Sequence, residues 1–271
     1  MQKRYFQLFE QKQIILFLEI LTEKYFKEYK ENNNKTLNKF FKNSKNKNEK
    51  NNFNFYFESS AVYSSNIEGN PMDLNSFMNA KMLKNRKKDK NFEEINDLIK
   101  AYEFAKSNIL TENTILEAHK IISKRLLIKN KRGKYREERI GVFGEEGLIY
   151  VALEPEKVKK TMRLFFKDIS FLLKKKKLST EKIFYFASMI HLKFAQIHPL
   201  ADGNGRAARL LEKWFLASFI KEKAWTIKSE KYYKENRSEY YRRINLGDNF
   251  YEVNMNKCLP FLNMLPEAVI L

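Results

Sequence analysis

Cysteine and histidine are scarce in this sequence, which has one cysteine, Cys258, and three histidines among 271 residues. A single cysteine excludes an internal disulfide framework and any cysteine-rich metal site. Three histidines with one cysteine also provide no credible zinc site. The low cysteine content fits a reducing compartment.

Long apolar runs are lacking as well. No stretch approaches the ~20 residues that a helix needs to cross a bilayer. The best run, residues 14–18, is followed by Glu19 and then by Lys24 and Lys27, so it is too short and wrongly flanked for a secretory signal. We therefore expect a cytoplasmic protein without a membrane partner.

Acidic residues are outnumbered, because 33 Asp and Glu stand against 52 Lys and Arg and give a net charge of +19. Such a charge first suggests a nucleic-acid partner. However, the lysines are scattered, and the heavy joint use of Lys, Asn, Ile and Phe is also what AT-rich coding produces. The densest basic runs, 84–90 and 174–177, are expected to be solvated. A nucleic-acid-binding regulator is therefore an alternative that rests on charge alone, and nucleic acid is not the expected partner.

The spacing of apolar residues predicts a mainly helical chain. A helix is expected within residues 5–29, whereas the Asn- and Lys-rich stretch 30–52 shows no period and is expected to have weak order. Gly69 and Pro71 end a helix that begins near residue 53.

Further elements follow along the chain. Helices are predicted over 53–67, 73–85, 92–109, 112–128, 155–173, 180–197, 204–221, 229–245 and 256–264. Asp73 and Thr111 are suitable N-caps for two of them. Residues 139–151 predict a short β-hairpin around a Gly-Glu-Glu-Gly turn. The expected fold is therefore all-α with one small β-hairpin.

The segment from His198 to Arg209 concentrates chemically active residues and reads His-Pro-Leu-Ala-Asp-Gly-Asn-Gly-Arg-Ala-Ala-Arg. Pro199 ends the preceding buried helix. Gly203 and Gly205 allow successive backbone N–H groups to point the same way and to form an anion-binding nest. The next helix begins there, and its N-terminus favours the same anion.

Two arginines in the first turn of that helix strengthen the prediction. Arg206 and Arg209 lie three residues apart on one face, where each cation opposes the helix dipole by about 0.3–1 kcal/mol. A polyphosphate would remove this cost, since the N–H groups bind one phosphate and the guanidinium groups another. Asp202 beside the nest suits a Mg²⁺ ligand, and His198 at the helix end suits a general base.

This segment closely resembles the signature of the Fic (filamentation induced by cAMP) domain family, His-x-Phe-x-Asp/Glu-Gly-Asn-Gly-Arg-x-x-Arg. Every charged and glycine position agrees. The one departure is Leu200, where the family usually has a buried Phe, and this apolar exchange would loosen the loop slightly. The resemblance extends roughly from Tyr63 to Tyr241. It implies the mainly α-helical Fic fold and protein adenylyltransferase activity that uses ATP and Mg²⁺.

The resemblance also implies a role for each residue of the loop. His198 would deprotonate a Ser, Thr or Tyr hydroxyl of a target protein. Asp202 would hold Mg²⁺ against the α- and β-phosphates of ATP. The residues that would line the anion hole are Gly203, Asn204 and Gly205.

The remaining site residues follow from the same resemblance. Arg206 and Arg209 would grip the distal phosphates, with Arg209 on the γ-phosphate. Related Doc-type kinases carry Lys where this chain has Gly205, so the sequence favours nucleotide transfer over phosphate transfer. Tyr240 and Tyr241 resemble the family's region near the adenine, although as bare residues they are more typical of core aromatics. The hairpin 139–151 resembles the flap that aligns an extended target segment by strand addition.

A second Fic pattern, Ser/Thr-x-x-x-Glu-Gly/Asn, is similar to the stretch that begins at Ser64 and contains Glu68. Its position before the core resembles the class whose own N-terminal helix is inhibitory. Glu68 lies at a predicted helix C-terminus and Arg209 near an N-terminus, so both charges oppose a helix dipole. An ion pair between them would relieve both and would place a carboxylate where the γ-phosphate belongs. We therefore expect Glu68 to be inhibitory.

These expectations divide the chain into four parts: an N-terminal helix with a linker (1–52), an inhibitory helix region (53–90), a Fic core (91–245) and a C-terminal helical extension (246–271). A bifunctional or mainly de-AMPylating enzyme is an alternative, as is an interaction protein with an inactive Fic site. The intact His198 argues against the latter. The sequence leaves open the target protein and whether the chain forms a homodimer.

Overall fold

Helices make up most of the computed structural model, which describes residues 18–43, 53–83, 89–144, 147–175 and 177–270. The helices are α1 Phe26–Asn43, α2 Phe53–Ile67, α3 Leu74–Met82, α4 Lys90–Ser107, α5 Glu112–Ile122, α6 Pro155–Leu173, α7 Thr180–Ile197, α8 Asn204–Ile220, α9 Lys223–Thr226, α10 Ser229–Glu235, α11 Arg237–Ile244, α12 Leu259–Leu262 and α13 Met264–Glu267. Three 3₁₀ turns cover Lys129–Lys131, Met255–Lys257 and Ala268–Ile270. Each helix in the described ranges falls short of the length and apolarity that spanning a membrane requires.

Two strands, β1 Gly141–Gly144 and β2 Gly147–Val151, form an antiparallel hairpin with a bulge after Val142. The hydroxyl of Tyr150 donates to the carbonyl oxygen of Gln196 at 2.7 Å, which joins the hairpin to the C-terminal end of α7. The expected class, all-α with one small hairpin, is confirmed.

Helices α7 and α8 form the centre of the molecule, because almost every face of both is buried. α7 begins after its N-cap Ser179, whose hydroxyl accepts the N–H of Lys182. Ile190 on α7 and Leu211 and Phe215 on α8 are fully buried in the same core. Burying each such side chain contributes about 1.5–3 kcal/mol. The loop between the two helices is therefore held between two firmly packed elements.

Several predicted elements have the expected bounds. The helices predicted over 53–67, 155–173 and 180–197 are α2, α6 and α7. Asp73 and Thr111 are the N-caps of α3 and α5, and the side chain of each accepts a backbone N–H three residues later.

The helix predicted over residues 5–29 is wrong for residues 18–25, whereas residues 26–29 begin α1. Residues 18–25 are not helical. Instead, the carboxylate of Asp168 on α6 accepts the backbone N–H groups of residues 19–21 at 2.7–3.0 Å. These bonds to a distant side chain replace the helical ones. Residues 1–17 lie outside the described part of the chain.

The weak order expected over residues 30–52 is likewise wrong for residues 30–43, which form most of α1. Tyr29 and Leu37 are completely buried, and the amide of Asn33 donates to the side chain of Asn263 at 2.7 Å. Tertiary packing of its few large apolar residues thus stabilises this helix. Residues 44–52 are not among those described.

Three other helices differ from the prediction in extent. α5 ends at Ile122, and the N–H and the hydroxyl of its C-cap Ser123 both donate to the carbonyl oxygen of His119. The helix predicted over 229–245 is broken at Asn236, whose backbone angles are not helical. The segment predicted as a helix over 256–264 is a 3₁₀ turn followed by the short helices α12 and α13.

A buried polar cluster fixes α2 to the core. Lys213 Nζ donates to Glu230 Oε2 at 2.5 Å and to the hydroxyl of Ser60 at 2.9 Å. The hydroxyl of Tyr102 donates to the other carboxylate oxygen of Glu230 at 2.6 Å. The two charged side chains are at most 1% exposed. A buried ion pair is tolerated only when its remaining hydrogen-bonding groups are satisfied, so Ser60 ties α2 to this pair.

Removal of the cation from this cluster tests its contribution. We expect Lys213→Ala to lower the free energy of unfolding by about 3–5 kcal/mol, because Glu230 is left buried and unpaired. The matched control is Lys231→Ala, which removes an exposed pair with Glu235 and is expected to cost under about 1 kcal/mol. Urea denaturation measures both, and equal losses in the two variants would contradict the assignment.

Candidate active site

His198 ends α7 in the left-handed region, with φ 50° and ψ 59°. Its Nδ1 lies 3.2 Å from the carbonyl oxygen of Ala195. Because a carbonyl oxygen only accepts, Nδ1 carries the proton and Nε2 keeps a free lone pair. Burial lowers the pKa of the imidazole, and the positive charge of Arg136 lowers it further. The side chain is therefore neutral at pH 7 and can accept a proton at Nε2.

The loop after His198 is shaped by the side chain of Asn204. Its Oδ1 accepts the N–H of Leu200 at 2.9 Å, and its Nδ2 donates to the carbonyl oxygen of Leu200 at 2.8 Å. Leu200 itself is 1% exposed, as its predicted role as a buried anchor requires. The Asn204 amide is thus committed to the loop, and only its backbone N–H is left for an anion.

His119 on α5 holds the loop from the other side. Its Nδ1 accepts the N–H of Gly133 at 3.1 Å, so the proton is on Nε2, which donates to the carbonyl oxygen of Asp202 at 3.0 Å. Burial lowers the pKa of His119 to about 4. Nothing near His119 in the sequence indicates this role, because Asp202 lies 83 residues further along the chain.

The N-terminus of α8 opens onto the same loop. Gly203 precedes the helix with φ 75°, a conformation that favours glycine, and the N–H groups of the first turn have no acceptor within the helix. The exposed carboxylate of Asp202 accepts the N–H of Gly203 through Oδ1 at 2.5 Å. This end of α8 thus has the features of an anion site.

Asp202 also has the chemistry of a magnesium ligand. Mg²⁺ is commonly bound by one or two carboxylates while water and substrate phosphates complete its coordination. One exposed carboxylate next to a phosphate-binding helix N-terminus fits that pattern. Within the described ranges, no group of three or more His, Cys, Asp or Glu side chains gathers to hold a metal by protein ligands alone.

A cavity of about 340 Å³ lies beside this helix end. Its lining includes three residues singled out in the sequence, namely Glu68, Asp202 and Arg206. Arg206 is 7% exposed, and among the described residues its Nε has no hydrogen-bond partner. Its Nη2 lies 3.7 Å from the carboxylate of Glu94. An unpaired buried donor at the edge of a cavity indicates a missing anionic or polar ligand.

Glu68 and Arg209 form the ion pair that the sequence predicts. Arg209 Nη2 donates to Glu68 Oε1 at 2.7 Å. Burial raises the pKa of the Glu68 carboxyl, but Arg209 and then Arg206 lower it by more, so the net pKa lies below its usual value. A Cβ on Gly205 would lie 2.2 Å from Glu68 Oε1. The carboxylate therefore approaches the α8 N-terminus only because position 205 has no side chain.

Three further N–H donors of Arg209 are also engaged. Nε and Nη2 donate to the hydroxyl and the carbonyl oxygen of Ser64, each at 2.9 Å. Nη1 donates to the hydroxyl of Tyr240 at 3.2 Å. Tyr240 is 2% exposed, so it lies here as a core aromatic beneath Arg209, and its faces are covered. Tyr241 is partly buried and donates its hydroxyl to the carbonyl oxygen of Ile67, at the end of α2.

The low pKa of His119 predicts a pH-dependent stability. The unfolded chain binds a proton near pH 6.5 and the folded chain only near 4, so stability falls as the pH drops below 6.5. Between pH 7 and pH 5 we expect the titration of His119 to lower the free energy of unfolding by roughly 2 kcal/mol. The variant His119→Gln lacks this titration, so its free energy of unfolding should fall by correspondingly less than that of the wild type between the two pH values. Urea unfolding at both pH values measures it; identical losses would contradict the prediction.

Comparison with known proteins finds similarity over part of the chain. Residues 109–216 match the model of the Fic/DOC family. A protein adenylyltransferase Fic of Nematostella vectensis is 32% identical in a match that covers 55% of this chain and 35% of that protein. The chain thus spans about a third of the length of this curated relative.

Two solved structures share the fold. A Fic family protein from Desulfovibrio desulfuricans G20 is 20% identical with a TM-score of 0.73, over 89% of this chain and 73% of its own. A Fic domain containing signaling protein from Bacteroides thetaiotaomicron VPI-5482 is 21% identical with a TM-score of 0.68, over 87% of this chain and 92% of its own. The matched family segment contains α5, the hairpin, α6, α7 and the whole loop from His198 to Arg209. Over residues 109–216, this chain is similar to the Fic/DOC family.

Proposed function

We propose that this protein transfers AMP from ATP to a Ser, Thr or Tyr hydroxyl of a target protein, and that Glu68 inhibits the transfer. The observation that carries the proposal is the juxtaposition of a neutral histidine with an open helix N-terminus. His198 and the first turn of α8 flank one short loop, and Arg206 adds an unpartnered buried donor there. The relative named protein adenylyltransferase Fic supports the same activity.

The proton of the target hydroxyl goes to His198 Nε2. As it leaves, the hydroxyl oxygen attacks the α-phosphorus of ATP. The bond from this phosphorus to the oxygen bridging to the β-phosphate breaks, and pyrophosphate departs. General-base help of this kind contributes typically about 10²–10⁴-fold, provided that the base is unprotonated at the working pH. The hydrogen bond from Nδ1 to Ala195 keeps Nε2 available.

Stabilisation of the phosphates is the larger requirement, because phosphoryl-type transfer depends mainly on positioning and on neutralising charge. The N–H groups that begin α8 provide fixed donors, and Arg206 provides a guanidinium. Asp202 would hold Mg²⁺, which supplies positive charge to the phosphates when it is bound. Because Gly205 has no side chain, the phosphate chain can lie directly on the helix end.

Inhibition follows from competition for Arg209. With four of its five N–H donors bonded to Glu68, Ser64 and Tyr240, this arginine has only one N–H of Nη1 left for a γ-phosphate. The Glu68 carboxylate also lies over Gly205, where an anion would bind the helix N-terminus. Two anions so close repel each other, so the ATP phosphates and the Glu68 carboxylate exclude one another.

Removal of the Glu68 carboxylate tests the activity and its inhibition together. We expect Glu68→Gly to raise AMP incorporation from α-labelled ATP by at least about tenfold, since one freed charge-assisted bond is worth about 1.5–3 kcal/mol. Glu68→Gln retains a polar group of the same size but no charge, and is expected to be intermediate.

A matched control is Glu235→Gly, which makes the same exchange at the C-terminal end of α10, outside the site. It is expected to leave labelling at the wild-type level. Adding His198→Ala to Glu68→Gly should abolish labelling. Equal labelling by wild type and Glu68→Gly would refute the inhibitory role, whereas no labelling by any variant would refute the transferase.

Metal dependence tests the role of Asp202. In the Glu68→Gly background we expect chelation by EDTA to abolish labelling and added Mg²⁺ to restore it. Asp202→Asn removes the charge that attracts the cation, so the Mg²⁺ concentration for half-maximal labelling should rise by about tenfold or more. Asp73→Asn, at the exposed N-cap of α3, is the control and should not shift the titration. An unchanged titration in Asp202→Asn would exclude this carboxylate as the ligand.

A further inference from the structure

Arg136 is a buried cation, 3% exposed, whose acceptors are backbone carbonyl oxygens. Its Nε donates to His198 at 2.6 Å, and its Nη2 reaches Ile197 at 3.3 Å. Its Nη1 donates to Glu138 at 2.8 Å, and Nη2 donates to Leu153 at 2.5 Å. Leaving such a group buried is favourable only because all three nitrogens of the fork find acceptors.

These four acceptors belong to two different parts of the fold. Ile197 is the last residue of α7 and His198 is its C-cap, and the carbonyl groups at such a helix end lack partners within the helix and attract a cation. Glu138 precedes β1 and Leu153 follows β2, so they form the two stems of the hairpin. One planar guanidinium therefore joins the backbone of the catalytic histidine to both stems.

Two further hydrogen bonds reinforce the same connection. The backbone N–H of Arg136 donates to the carbonyl oxygen of Pro199 at 2.9 Å. The hydroxyl of Tyr150, on β2, donates to the carbonyl oxygen of Gln196 at 2.7 Å. Every backbone carbonyl from residue 196 to residue 199 is thus bonded either to Arg136 or to Tyr150 of the hairpin.

We propose that Arg136 is a positioning residue that fixes the distance between His198 and a target segment aligned on the hairpin. This inference rests on the proposed function. The rigid fork of Arg sets both the direction and the length of its hydrogen bonds, which the single ammonium of Lys cannot do. A base displaced by about 1 Å can cost a factor of about 100 in rate. ATP is held by α8, so its binding does not depend on this link.

The first experiment separates rate from ATP binding. In the Glu68→Gly background, AMP incorporation from α-labelled ATP into a fixed amount of lysate protein gives an apparent maximal rate and a KM for ATP. We expect Arg136→Lys to lower the maximal rate about 100-fold and to change the KM by less than about twofold. The matched control is Arg132→Lys. Arg132 lies in the same segment between α5 and β1, and its Nε donates to the carbonyl oxygen of Leu127. Its replacement should leave the maximal rate and the KM unchanged.

A second variant guards against a folding defect. Tyr150→Phe removes the hydrogen bond to Gln196 without leaving a buried cation unpaired. We expect the maximal rate to fall by about tenfold while the KM for ATP stays unchanged. Thermal unfolding of each variant shows whether the chain remains folded. If Arg136→Lys unfolds, Tyr150→Phe decides the outcome. A change in the KM for ATP as large as that in the rate, or no change in either, would overturn the proposal.

Amide hydrogen exchange provides a readout that does not need activity. We expect Arg136→Lys to accelerate exchange in β1, in β2 and at the end of α7 together, while α2 keeps the protection of the parent chain. If exchange became faster in the hairpin but stayed unchanged at the C-terminal end of α7, the proposal that Arg136 links these two elements would be overturned. If Glu68→Gly labels nothing, the transferase proposal fails, and the exchange result alone then decides the role of Arg136.

Discussion

Between His198 and Asn204 the chain ends one buried helix and begins another, and the polar groups of both helix ends must find partners in a largely buried place. The two helix ends differ in how their polar groups are satisfied. The carbonyl groups of α7 are satisfied from within the protein by Arg136 and Tyr150. The N–H groups of α8 are left open to a cavity and to the Glu68 carboxylate. In the proposed mechanism, the closed end of α7 positions the general base, and the open end of α8 receives the phosphates.

Helix α2 combines a structural role with the proposed regulatory one. Ser60 bonds to Lys213 and Ser64 bonds to Arg209, so positions four residues apart on α2 meet positions four residues apart on α8. The first contact belongs to a fully buried ion-pair cluster. Undocking the whole helix would expose this cluster, whereas moving Glu68, just past its last turn, would not. Release of inhibition is therefore expected to be a local rearrangement at the end of α2.

The sequence predicted features whose cause is local. The loop from His198 to Arg209, the hairpin and most helix bounds follow from glycine, proline and apolar spacing, and the pairing of Glu68 with Arg209 follows from two opposed helix dipoles. It failed for the helix over residues 30–43, which depends on burial of Tyr29 and Leu37 against distant elements. The roles of His119 and Arg136 also depend on acceptors more than sixty residues away, and nothing near them in the sequence indicates those partners.

The pairing of Arg209 with Glu68 has a consequence for how such an enzyme would respond to nucleotide. If only the fraction of molecules with Glu68 displaced binds ATP productively, the apparent dissociation constant equals the intrinsic one divided by that fraction. Each 1.4 kcal/mol in the strength of the Glu68 contact then multiplies the ATP concentration needed for activity by about ten. The packing of the end of α2 thus sets the ATP concentration at which activity appears. Any partner that bends the end of this helix would lower that concentration without touching the nucleotide site.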